Sequence, residues 1–196
     1  SPRPPRLTPP LEVFLVSTGL VALAEIGDKT QLLALMLAAR LRRPVPIILG
    51  ILVATLANHA LAGATGQWIA NLLGAETLRW IVGLSFIAMA GWILVPDKLD
   101  ADDTPKSHGG AFVTTVVAFF IAEMGDKTQI ATVALAARFD ALAMVVAGTT
   151  LGMLIANVPA VLLGDRLAGK LPVRLVHGIA AAIFAALGLF ALFGPR

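Results

Sequence analysis

The chain has no cysteine, only three histidines and few charges in its 196 residues. Without cysteine there is no disulfide, no thiolate metal ligand and no Cys/His pair, and cysteine usage gives no clue to a redox compartment. No His-rich metal motif or Ser/His arrangement is present either, so no enzymatic activity is expected. Asp, Glu, Lys and Arg together make up 14% of the chain, against about 25% in an ordinary soluble domain. With 58% hydrophobic residues, that scarcity points to an all-α, polytopic membrane protein. The net charge of +3 comes from basic residues in short loops beside apolar segments. There they act as topology signals, and no nucleic-acid partner is expected.

Long polar stretches are also scarce. Residues 1–10, Ser-Pro-Arg-Pro-Pro-Arg-Leu-Thr-Pro-Pro, read as a Pro-rich lead-in without the basic, apolar, small order of a signal peptide. Six apolar segments follow, at 11–39, 45–71, 77–95, 110–138, 141–164 and 172–193. Each reaches the roughly 20 residues that span a bilayer as a helix. A polar loop at 97–109 divides a first half, 11–96, from a second, 110–196.

The two halves repeat. Glu25-Ile-Gly-Asp-Lys-Thr30 returns 98 residues later as Glu123-Met-Gly-Asp-Lys-Thr128. At the same offset Gln31 matches Gln129, Leu37-Ala-Ala-Arg40 matches Leu135-Ala-Ala-Arg138, and Phe86 matches Phe184. After one inserted residue, Asn58 matches Asn157. Three spans per half is an odd number, so the second half enters the membrane from the opposite side. The expected architecture is six transmembrane helices as two inverted three-helix repeats, with a site near the midplane between them. The loops that hold Arg40, Arg42, Arg43, Lys98, Lys106, Arg166, Lys170 and Arg174 carry more basic residues than the other side, with Arg3, Arg6, Arg79, Arg138 and Arg196. That bias places the N-terminus outside.

Both hexapeptides lie inside apolar segments, where each charge costs roughly 2.5–3.5 kcal/mol even on a mild scale. Glu25 and Asp28, and likewise Glu123 and Asp126, are spaced to share one face of a helix. Alternatively, the glycine inside each motif breaks the helix, or it allows close helix packing. Four carboxylates around one cavity repel each other, and either a cation or protons relieve that repulsion. With Lys29 and Lys127 as charge-balancing partners, the formal remainder is −2, equal to one divalent cation or to two protons taken up in its place. Asn58, Asn157, Gln31, Gln129, Thr30 and Thr128 are candidate additional ligands, the two asparagines equally readable as interhelical hydrogen bonds. An all-oxygen set suits hard ions such as Ca²⁺, Mg²⁺ or Mn²⁺. His59, His108 and His177 stay outside the expected site. Asp100, Asp102 and Asp103 read as a solvated loop, and Gly63, Gly66, Gly83, Gly91 and Gly188 as helix-packing positions.

The doubled motif resembles that of the small Ca²⁺/Mn²⁺:H⁺ antiporters, which carry Glu-x-Gly-Asp-Lys/Arg-Ser/Thr once in each three-helix half. Golgi transporters of the Gdt type and bacterial manganese exporters belong to that family. The likeness runs from Leu11 onward. It implies export of Mn²⁺, or of Ca²⁺, from the cytosol against inward proton movement, with metal binding at Glu25, Asp28, Glu123 and Asp126. It also implies an integral protein of a bacterial cytoplasmic membrane. The expected partners are the lipid bilayer, divalent cations and protons, with a homo-oligomer left open; no cofactor is expected. A passive cation channel and an exporter of small organic cations or amino acids are the competing readings.

Overall fold

The computed structural model describes residues 9–98, 106, 109–164 and 172–194. Most of the lead-in, the loop aspartates Asp100, Asp102 and Asp103, His108, and the basic residues Arg3, Arg6, Arg166, Lys170 and Arg196 lie outside the described residues. Among those described there are eight helices and no strand: α1 (Pro10–Glu25), α2 (Lys29–Leu41), α3 (Pro44–Leu72), α4 (Ala75–Trp92), α5 (Ala111–Glu123), α6 (Lys127–Arg138), α7 (Leu142–Leu163) and α8 (Val173–Phe193). Proline opens α1 and α3, where its fixed φ suits the first turn and its missing N–H has no partner to lose. Arg42, in the left-handed region at φ 51°, closes α2 by donating its backbone N–H to the Ala38 carbonyl.

The six apolar segments become eight helices because the first and fourth are each broken inside the hexapeptide. α1 and α2 meet at 70° across residues 26–28. Of the readings of the motif glycine, the one in which it breaks the helix therefore holds. α3, α7 and α8 are each long and apolar enough to cross a bilayer, and the bent pair α1 and α2 passes the same test when its two helices are taken together, as a broken span or a re-entrant loop. α3, with 29 residues, extends about 43 Å at the helical rise.

Polarity is arranged inside out. Leu56, Leu61, Trp68, Leu84, Ile155 and Phe190 stand exposed on the outer surface, while Glu25, Asp28, Asn58, Glu123, Asp126 and Asn157 are buried. A soluble fold hides its leucines and wets its carboxylates, so this surface matches lipid. Two apolar clusters flank the polar interior. One gathers α1, α4, α6 and α8 around Leu20, Phe86, Leu135 and Phe184. The other gathers α2, α3, α5 and α7 around Leu37, Ile51, Phe119 and Ala160.

Packing crosses between the halves. α1 lies along α7, α5 along α3, and α4 along α8. Phe86 and Phe184, which the repeat pairs, touch each other with ring centroids 6.0 Å apart. At the contact of α4 with α8, a Cβ added to Gly83 would meet Leu192, and one added to Gly188 would meet Ile87. Gly91 differs from its expected packing role: none of the described residues lies within 4 Å of the place its Cβ would occupy.

Candidate cation site

Each hexapeptide folds into the same local device. Ile26, at φ −62° and ψ 118°, is followed by Gly27 at φ 81°, and the Asp28 N–H donates to the Glu25 carbonyl at 3.0 Å. This is a type II turn, whose third position requires a positive φ and hence favours glycine. Met124, Gly125 at φ 74° and the bond from the Asp126 N–H to the Glu123 carbonyl at 3.1 Å repeat it. Glu25 and Glu123 end one helix; Asp28 and Asp126 are the N-cap residues of the next. The two acids of a motif therefore do not share a helix face, as their spacing suggested. In the first motif the turn instead brings an oxygen of each acid within 4.8 Å of the other.

Gln31 and Gln129 fasten these turns. The Gly27 N–H donates to Gln31 Oε1 at 2.8 Å, and the Gly125 N–H donates to Gln129 Oε1 at 2.6 Å. Both glutamines occupy the N3 position of their helix, from which a side chain reaches back over the N-terminus as in a capping box. Gln31 Nε2 also donates to the Ala156 carbonyl at 2.9 Å, while Gln129 Nε2 has only Met124 Sδ at 3.9 Å. The first turn is held from outside as well: His177 Nε2 donates to the Ile26 carbonyl at 2.5 Å.

The two devices meet. One oxygen each from Glu25, Asp28 and Asp126 lies within 4.8 Å of the others, and all three residues are buried. Oxygens on opposite sides of a Mn²⁺ or Ca²⁺ ion stand about 4–5 Å apart, twice the bond length. The cluster thus has the spread of one coordination shell. Glu123 stands outside this group, accepting the Thr55 hydroxyl at 2.5 Å. It remains close enough for its charge to act on Glu25. Asn157 Nδ2 donates to Glu25 Oε1 at 3.4 Å and to the Met153 carbonyl at 3.0 Å. Hence α7 steadies the acid of α1, and α3 steadies the acid of α5.

The lysines cross over. Lys127, 1% exposed, sets its ammonium 3.3 Å from Asp28 Oδ1 and 2.5 Å from Asp97 Oδ2. Lys29, half-buried, acts electrostatically on Asp126. The second motif's lysine thus pairs with the first motif's aspartate, and the first motif's lysine is near enough to act on the second's. Several buried oxygens have no hydrogen-bond partner among the described residues: Glu25 Oε2, Asp28 Oδ2, Asp126 Oδ2, Thr30 Oγ1, Thr128 Oγ1 and Asn157 Oδ1. Both amide atoms of Asn58 and both ring nitrogens of the neighbouring His59 are likewise unpartnered. Buried oxygens left open in this way are costly unless a ligand satisfies them.

Sequence reasoning missed Asp97 and Thr55. Asp97 reads as the first residue of a solvated loop, and Thr55 as a helix residue with no repeat partner. A signal for Thr55 lies in its spacing, one turn before Asn58 on the same helix face.

Comparison with known proteins follows the same outline. The family model "Divalent cation/proton antiporter GDT1" matches residues 13–101 and 111–196. A "Putative manganese exporter" of Vibrio cholerae serotype O1 is 52% identical over 184 residues, which cover 93% of this chain and 92% of that protein. "GDT1-like protein sll0615" of Synechocystis is 30% identical over 195 residues, covering 89% and 93%. "GDT1-like protein 3" of Oryza sativa subsp. indica is 29% identical over 212 residues, covering 94% and 75%. No solved structure matches the chain significantly. The chain belongs to the divalent cation/proton antiporter GDT1 family.

Proposed function

We propose that this protein exports a divalent cation, Mn²⁺ first and Ca²⁺ second, in exchange for protons by alternating access. The observation that carries this reading is the convergence of Glu25, Asp28 and Asp126, drawn from both halves, within 4.8 Å in a buried setting. In the cytoplasm-facing state these carboxylates gather the cation and release protons. The halves then rock, Glu123 joins as fourth carboxylate, and returning protons displace the cation to the outside. Thr30, Thr128, Asn58 and Asn157 supply further oxygens, and Lys29 and Lys127 balance the charge.

The proposal extends to architecture. α1 with α2 and α5 with α6 each serve as one broken span, so residues 11–96 and 110–196 form two inverted three-helix repeats with six spans and the N-terminus outside. The reciprocal packing of α1 on α7 and α5 on α3, and the contact of Phe86 with its repeat mate Phe184, support a pseudo-two-fold axis. Broken helices at the midplane are how secondary transporters expose backbone and side-chain oxygens to an ion.

Everted membrane vesicles test the reading. A proton gradient, acid inside, is expected to drive Mn²⁺ uptake that a protonophore abolishes, and Asp28→Asn or Asp126→Asn is expected to remove it. Undiminished gradient-driven uptake in either variant would sink the site, and uptake indifferent to the gradient would favour a passive channel.

A further inference from the structure

After α4 ends at Trp92, residues 93–97 turn back toward the break between α5 and α6. The Asp97 side chain sits at the rim of the polar interior, 21% exposed, and Lys127 lies beneath it, 1% exposed. The three protons of an ammonium find three acceptors here: Asp97 Oδ2 at 2.5 Å, Asp28 Oδ1 at 3.3 Å and the Val95 carbonyl at 3.4 Å. One buried cation thus bridges a carboxylate of the site and a carboxylate of the rim. Among the described residues the arrangement has no twin at Lys29, and 98 residues beyond Asp97 the sequence has Pro195 in place of a carboxylate.

A divalent cation that takes Asp28 competes with Lys127 for that carboxylate. If Asp28 were the only partner, cation binding would strand a buried ammonium, which is strongly unfavourable. Asp97 offers that ammonium a second seat, closer than the first. We infer that Asp97 is a positioning residue: it holds Lys127 aside while a divalent cation occupies Asp28, and so sets the cation affinity of the site without touching the cation. This inference rests on the cation-site reading above.

The experiment measures gradient-driven Mn²⁺ uptake in everted vesicles and Mn²⁺ binding to the purified full chain by calorimetry. The variants are Asp97→Asn and Asp97→Glu, each alone and with Lys127→Gln. Asp97→Asn is expected to raise KM and Kd about tenfold, the size of coupling found within one ion-pair network, with Vmax near that of the parent. Asp97→Glu is expected to restore most of the affinity. With Lys127→Gln in place, Asp97→Asn is expected to change Kd less than about twofold. An equal rise in both backgrounds would overturn the inference, because Asp97 would then act as a bare charge, and so would no rise in either. Should Lys127→Gln not fold, salt decides. A bare rim charge is screened between about 0.05 and 0.5 M salt, whereas a buried pair is not. The ratio of Asp97→Asn to parent KM must therefore hold across that range. If the parent itself shows no saturable Mn²⁺ binding, the cation-site reading fails first.

Discussion

Gly27 and Gly125 occupy the same turn position in the two halves, yet alanine should not cost the same at both. Each has a positive φ, 81° and 74°, and a Cβ in that region costs about 1–2 kcal/mol. At Gly125 that is the whole penalty, since none of the described residues lies within 4 Å of the added atom. At Gly27 the new Cβ would stand 2.5 Å from Val173 Cγ1, 3.0 Å from Cγ2 and 3.3 Å from Cβ. A β-branched valine has few rotamers to retreat into, and its own Cβ is too near for rotation alone to clear the clash. Overpacking of this kind adds about 1–3 kcal/mol. Gly125→Ala should therefore destabilise by about 1–2 kcal/mol and Gly27→Ala by about 2–5 kcal/mol. Denaturant unfolding in detergent, followed by the fluorescence of Trp68, Trp80 and Trp92, gives both values. In a Val173→Ala background, which removes both Cγ atoms but keeps the Cβ, the cost of Gly27→Ala should fall most of the way toward that of Gly125→Ala. Equal costs for the two single variants, or no relief from Val173→Ala, would refute the account of how the turns are packed.

Three further outcomes are expected. Thr55→Val removes the hydroxyl that donates to Glu123 at 2.5 Å and should cost about 1–3 kcal/mol in the same unfolding measurement, as for a buried acceptor left without its donor, with Thr55→Ser recovering most of it. Gln31→Ala should cost about 2 kcal/mol and Gln129→Ala about 1 kcal/mol, because Gln31 makes two good hydrogen bonds and Gln129 one. The KM for Mn²⁺, measured at a series of cytoplasmic-side pH values, should fall as pH rises, since carboxylates that have already lost their protons have none to exchange for the cation; a KM that rises with pH would contradict proton–cation competition.

The repeat was legible because both motifs, the Leu-Ala-Ala-Arg strings and the paired phenylalanines keep one offset. The helix breaks were not. Each hexapeptide lies inside a segment long and apolar enough to read as one span, and a lone glycine in such a segment serves packing as readily as turning. The deciding residues were Gln31 and Gln129. With Asp28 and Asp126 ahead of them, Asp-x-x-Gln is an N-terminal signature, but inside a hydrophobic segment a glutamine also reads as a ligand. Convergence of all four carboxylates was expected from symmetry, and three of them, Glu25, Asp28 and Asp126, meet. The separate anchoring of Glu123 by Thr55 was not expected, since Thr55 has Leu154 at its matching place. Asp97 was hidden for another reason. Its role depends on a fold-back after α4, and nothing in a short polar loop announces which residue turns inward.

The cross-pairing of the halves bears on how the protein is made. Asp28 waits for Lys127 and Glu25 for Asn157, whereas Glu123 finds its partner, Thr55, already synthesised. At a synthesis rate of about 5–20 residues per second, the hundred or so residues separating Asp28 from Lys127 take about 5–20 s to emerge. Throughout that interval the first half must sit in or beside the bilayer with Glu25, Asp28 and Lys29 unmatched, its turn already formed from purely local bonds. Membrane insertion therefore has a vulnerable window that closes only when α6 and α7 arrive, and a nascent chain stalled within the central loop is the form most exposed to quality-control proteolysis.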